Sequence, residues 1–158
     1  MRIRSCVAVL VLGVVVVGCT NAEAEFEEIS EVLDATMDQF FVGETYLFES
    51  GPLPCDIIGG ERSSIVIDVP FDGTDTEKNA LMVEIGKFWT EEFGLEVEPN
   101  DVGIGLMTYT GGAELAVWSQ PSSIGLQGIT NSCASHSPAP YVEEERVAGS
   151  GIVESEQG

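Results

Sequence analysis

The sequence predicts an α+β two-layer sandwich, an antiparallel sheet of about five strands with two helices on one face. Three observations lead there. Two segments carry apolar residues at helical spacing, and the segments between and after them alternate apolar and polar residues as half-buried strands do. The order is helix, two strands, helix, three strands, runs of strands with helices between them. Finally, 158 residues leave room for one domain with a modest core.

The first helix is read from Phe26, Ile29, Leu33, Met37 and Phe40, an apolar stripe. Its opposite face bears Glu27, Glu28, Glu31, Asp34 and Asp38, and Gly43 ends it. Glu44 to Ser50 is rich in aromatics and reads as a strand, broken by Gly51-Pro-Leu-Pro-Cys55. After the Gly59-Gly60 turn, Ile65, Ile67 and Val69 alternate within a second strand, Ser64 to Pro70.

Thr74-Asp-Thr-Glu77 is a capping box: the threonine side chain can accept a backbone N–H while the glutamate reaches back. The helix it opens presents Leu81, Ile85, Phe88 and Trp89 to the core and stops at Gly94. Asp75 and Glu77 suit the positive end of the helix dipole. Three strands follow, Val102 to Thr110, Glu114 to Ser119 and Ile124 to Thr130, the first two joined by the hairpin signal Gly111-Gly112. The folded domain is thus expected over residues 26–134. From Ser135 onward Ser, Pro, Glu and Gly dominate, so residues 135–158 are expected to form a disordered acidic tail.

The N-terminus carries a different signal. Arg2 and Arg4 precede an apolar run from Cys6 to Val17. Such a run is too short to span a bilayer, which takes about twenty apolar residues, and it suits the central part of a signal peptide. Val16-Val17-Gly18-Cys19 follows and resembles the lipobox of bacterial lipoproteins, with Val16 where the family usually has Leu. The resemblance implies a signal peptide over 1–18, cleavage between Gly18 and Cys19, a diacylglyceryl group on the Cys19 thiol and a lipidated tether over 19–25. More than one acyl chain on one cysteine holds a protein stably at a membrane, where a single chain is marginal. Ala22-Glu23-Ala24 leaves an alternative: ordinary cleavage after Ala24 would release a freely secreted protein.

Cys6 departs with the signal peptide and Cys19 takes the lipid, leaving Cys55 and Cys133 as one expected disulfide in an oxidising compartment. The alternative, two free thiols for redox work or metal capture, finds no C-x-x-C and only one histidine, His136. The arrangement of helices, strands and the two cysteines is similar to that of small lipoproteins of high-GC Gram-positive bacteria, including the mycobacterial LppA-like group. That resemblance implies a domain without an assigned activity and carries no site residues with it.

The charge narrows the partners. The chain has 27 Asp and Glu against six Lys and Arg, and from Cys19 onward only Arg62, Lys78, Lys87 and Arg146 remain basic. So acidic a surface repels nucleic acid and anionic headgroups, and its plainest role is solubility. Cationic partners stay open.

Catalytic signatures are missing. There is no G-x-S-x-G and no H-E-x-x-H, and Ser122, Ser123 and Ser132 lie in no activating pattern. Asp68, Asp72, Asp75 and Glu77 cluster near a turn but lack the phase of a calcium loop, and capping accounts for most of them. Gly103-Ile-Gly105 and Gly111-Gly112 precede no helix, so they read as positions of close approach or bulges, not as a phosphate cradle. Trp89, Trp118, Tyr109 and Phe88 read as core. The expected protein is a non-enzymatic envelope lipoprotein on the extracytoplasmic face of the membrane, without metal or cofactor. It binds either a protein partner of the envelope or a small molecule or lipid in a helix–sheet pocket.

Overall fold

The computed structural model describes residues 22–55, 59–99, 105–110 and 113–149. The expected signal peptide and cleavage site (Gly18 and Cys19), the expected Gly111-Gly112 hairpin turn and the last nine residues of the expected tail lie outside them. The elements are α1 (Ala22–Phe40), β1 (Thr45–Pro54), β2 (Glu61–Pro70), α2 (Asp75–Phe93), β3 (Val97–Pro99), β4 (Gly105–Thr110), β5 (Ala113–Ser119), β6 (Ser123–Thr130) and β7 (Val142–Val147). One sheet holds every strand in the order β3-β4-β5-β6-β2-β1-β7, with all neighbours antiparallel. Both helices cover one face, α1 over β6, β2 and β5, α2 over β5, β4 and β3. The α+β two-layer architecture is therefore as the sequence predicts.

The sheet has seven strands where about five were expected. β3, three residues long, is too short to alternate visibly. β7 corrects the expected tail: residues 135–149 are folded, and Val142–Val147 pairs with β1 from Ser50 back to Thr45. Its Val-Glu-Glu-Glu-Arg-Val composition reads as a solvated segment because glutamates disfavour strands in isolation. In an edge strand those glutamates reach water, and β1 supplies the missing backbone partners. β1 also runs four residues past Ser50, through Pro52 and Pro54. Beyond Ser50 its partner among the described strands is β2 alone, so the N–H groups that proline lacks fall on an edge.

The capping box of α2 is present in both halves: the Glu77 N–H donates to Thr74 Oγ1 at 3.3 Å, and the Thr74 N–H donates to Glu77 Oε2 at 2.7 Å. The Thr74 N–H, and after it the Thr74 hydroxyl, which donates to Glu77 Oε2 at 2.9 Å, hold the Glu77 carboxyl below its usual range. Gly94 ends the helix in the left-handed region at φ 67°, where glycine carries no Cβ penalty.

The expected core stripes hold at their centres, Ile29, Leu33 and Met37 on α1 and Ile85 and Trp89 on α2, while Phe26, Phe40, Leu81 and Phe88 pack at the rim. Where the sheet must meet α1, Gly128 makes room: a Cβ there would sit 3.0 Å from Cβ of Ile29. Gly105 serves strand contact instead, since a Cβ there would lie 2.4 Å from the Val117 carbonyl oxygen.

Two charged residues are buried as anchors. Lys78 is 2% exposed, and its ammonium donates to the carbonyls of Gln120 and Pro121 at 2.7 and 2.6 Å, tying the start of α2 to the β5–β6 turn. Glu25 is 3% exposed on a helix that begins at Ala22, inside the expected 19–25 tether. Its carboxylate accepts the backbone N–H groups of Asn131 and Ser132, each at 3.0 Å, and the Ser132 hydroxyl. Glu25→Ala should therefore lower stability by about 2 kcal/mol, because charge-assisted bonds vanish and two amides lose their acceptor. Urea unfolding checks it; a loss below about 0.5 kcal/mol would mean water replaces the carboxylate freely.

Candidate functional site

The layers do not close everywhere. Phe26, Ser30, Leu33 and Asp34 recur along α1 at offsets that put them on one face. Below them Phe48, Ser50, Ile65 and Ile67 rise from β1 and β2. Pro140, Val142 and Arg146 wall the edge, enclosing a cavity of about 190 Å³. The strand positions are the ones whose cross-strand partners share the helix-facing side: Phe48 pairs with Ile67, Ser50 with Ile65, and β7 adds Val142 opposite Ser50. The lining is mainly apolar, with a polar mouth.

Arg146 organises that mouth. Its guanidinium lies 3.5 Å from the centre of the Phe48 ring, and its Nε donates to Glu144 at 2.6 Å. Tyr46, its cross-strand partner, has a phenol pushed up by burial, which Arg146 partly offsets. Burial likewise holds the Asp34 carboxyl above its usual range, with Arg146 acting against the shift and Asp38 adding to it. Asp34 was expected on the solvated face of α1; it is half-buried at the cavity instead. The Ser30 and Ser50 hydroxyls donate to the carbonyls of Phe26 and Pro140, both at 2.7 Å, which leaves their oxygens free to accept. Such a site can seat a small apolar body and hydrogen-bond one polar end.

No protein-family model, curated protein or solved structure matches the chain.

The remaining sequence candidates scatter. Cys55 and Cys133 are bonded, their Cα atoms 6.1 Å apart, linking the ends of β1 and β6 across the start of β2. His136 is exposed in the segment between β6 and β7. Ser122 and Ser123 sit at the far end of β6 from it, about 24 Å away along the strand, and Ser132 is engaged by Glu25. Asp68 lies on β2, Asp72 in the loop beyond it, and Asp75 and Glu77 in the first turn of α2; the four form no common site. Trp89 is core, as expected, whereas Trp118 lies on the side of the sheet away from the helices.

A wider depression of about 410 Å³ lies where Phe40, Phe41 and Phe71 meet Glu44, Asp72 and Ser122. It is bordered by loops and evenly mixed in polarity, so it lacks the apolar enclosure of a small-molecule site. Sequence reasoning found Phe26, Leu33, Ile65 and Ile67 of the cavity but missed Ser50, Pro140, Val142 and Arg146. These four arrive through β1–β7 pairing, between segments some ninety residues apart, and no local pattern announces it.

Proposed function

We propose that this chain is a cell-envelope lipoprotein, tethered through Cys19, whose domain holds a small, mainly apolar ligand in the helix–sheet cavity and does no chemistry on it. The observation that carries the reading is the cavity, with apolar walls, two hydroxyl acceptors and Arg146 at its mouth. Its 190 Å³ suits one aromatic ring or a short alkyl chain, since a dry apolar cavity of about 150 Å³ accepts benzene. The cavity's hydroxyls donate to backbone carbonyls and to no base, which favours binding over catalysis.

The tether supports the same reading. Cys19 is three residues before Ala22, the first residue of α1, in the sequence. Phe26 is one helical turn further, about 6 Å. A lipid on Cys19 would keep the cavity beside the bilayer, where apolar molecules concentrate. Among the described residues no helix is long and apolar enough to cross a membrane.

The test is native mass spectrometry of the full chain carrying Cys19→Ser, exported by its host and never denatured. A mass above that of the chain, released on denaturation, is expected. Ser30→Leu should fill the cavity, abolish that extra mass and leave the thermal midpoint unchanged or raised by a few degrees. A bare parent chain, two hydrogens short for the disulfide, overturns the reading.

A further inference from the structure

The face of the sheet opposite the helices has its own chemistry. Pairing lines up Glu145, Leu47, Asp68, Gly125 and Trp118 in one row across β7, β1, β2, β6 and β5. The next row begins Glu143, Glu49, Val66. Glu143 and Glu49 are therefore direct cross-strand partners, an arrangement of like charges that a cation relieves. On the strands of this face, the basic side chain among the described residues is Arg62, six positions from Asp68 along β2, or about 20 Å.

Trp118 does not stand away from the sheet. Its indole lies over Gly125, where an added Cβ would fall 2.3 Å from Cε2 of the ring. The ring borders a pit of about 160 Å³ whose walls include Leu47, Glu49, Val66 and Asp68. Asp68 Oδ1 is sealed from solvent and has no hydrogen-bond partner. Buried carboxylate oxygens are ordinarily satisfied, so this one marks a position that gains from a positive charge beside it.

The Trp118 ring, two carboxylates and apolar walls border one pit, and an aromatic ring beside carboxylates is a combination that recognises a quaternary ammonium group. The ring quadrupole and the carboxylates attract the diffuse charge, and the methyl groups pack on Leu47 and Val66. The chain's formal charge of −21 raises the local concentration of any cation. We propose that the open face of the sheet binds a small quaternary ammonium cation in the pit between Trp118, Asp68 and Glu49. This site is separate from the helix–sheet cavity and does not depend on the function proposed for it.

The experiment titrates the full chain carrying Cys19→Ser with choline chloride and follows tryptophan fluorescence. Trp89 is sealed in the core, so the change reports Trp118. The uncharged isostere 3,3-dimethylbutan-1-ol and sodium chloride at equal ionic strength are the comparators. The expected result is a saturable change with choline and binding of the alcohol at least about tenfold weaker. Asp68→Asn should weaken choline by about tenfold and Glu49→Gln by about threefold. Equal responses to choline and the alcohol, or a choline response reproduced by sodium chloride, overturn the proposal. So does an unchanged choline affinity in Asp68→Asn with native circular dichroism. If Asp68→Asn fails to fold, Glu49→Gln decides, because Glu49 is exposed and its replacement leaves the core intact. Ser30→Leu should leave the titration unchanged, and a loss of choline binding there would place the cation in the other cavity and overturn this site.

Discussion

Trp89→Ala is expected to remove about 4 kcal/mol of stability, the largest loss from any single substitution in the domain. Trp89 is 0% exposed and sits where α2 meets α1 and the sheet. Its indole N–H donates to Thr36 Oγ1 at 2.8 Å, and that hydroxyl donates in turn to the Val32 carbonyl at 2.7 Å. Truncation opens a cavity that neighbours on two helices can only partly close, and it also leaves the buried Thr36 oxygen short of a donor. Both costs act together. Against a typical total of about 5–15 kcal/mol, the variant would be close to unfolding at physiological temperature. Trp89→Phe separates the contributions: it keeps an aromatic body, loses the hydrogen bond and should cost about 2 kcal/mol. Urea unfolding of the two variants checks this. A loss in Trp89→Ala below about 2 kcal/mol would show that the helix layer can collapse around the gap.

Replacing both Cys55 and Cys133 with serine should cost about 4 kcal/mol if chain entropy dominates, because the bond closes a loop of 78 residues. The loss should fall unevenly. Segment 131–141 leads from β6 to β7 and carries no regular strand or helix; it is pinned at points, by Glu25 to Asn131 and Ser132, by the backbone bridge between Glu61 and Ala134, by Glu61 and Ser63 to Ser137, and by Ser50 to the Pro140 carbonyl. Without the disulfide that segment gains freedom, and β7, at the edge of the sheet and paired among the described strands with β1 alone, should open first. Amide exchange would show protection falling in Val142–Val147 before it falls in β2, β5 or β6. The same opening would carry Arg146 and Val142 away from the helix–sheet cavity, so ligand retention should fall with it. Uniform loss of protection across the sheet would refute that order.

The elements legible in the sequence are those whose signal is local. The Thr74–Glu77 box, the glycine stops after both helices and the alternation in β2 each depend on residues a few positions apart, and each appears as read. The pairing of Cys55 with Cys133 was legible for another reason: two cysteines allow one partner choice. Asp34 was misplaced because a helical wheel sorts residues by polarity, and Glu25 because it was assigned to the tether ahead of the domain, while burial depends on what lies opposite. Glu25 finds two amides of the β6 exit, and Asp34 finds Arg146.

The sequence by itself determined the class of fold, the identity and order of the long elements, the centre of the core and the acidic character of the surface. Periodicity, capping and charge are properties of neighbouring residues, which the chain carries whether or not it is folded. Only the tertiary structure decided that β7 belongs to the sheet, that a cavity opens between α1 and the β1–β7 edge, and that Trp118 and Asp68 share a pit on the other face. Each rests on strand register between distant segments. There, a gain in backbone pairing overrides the weak strand preference of Glu143, Glu144 and Glu145, and residues with no common local pattern become neighbours.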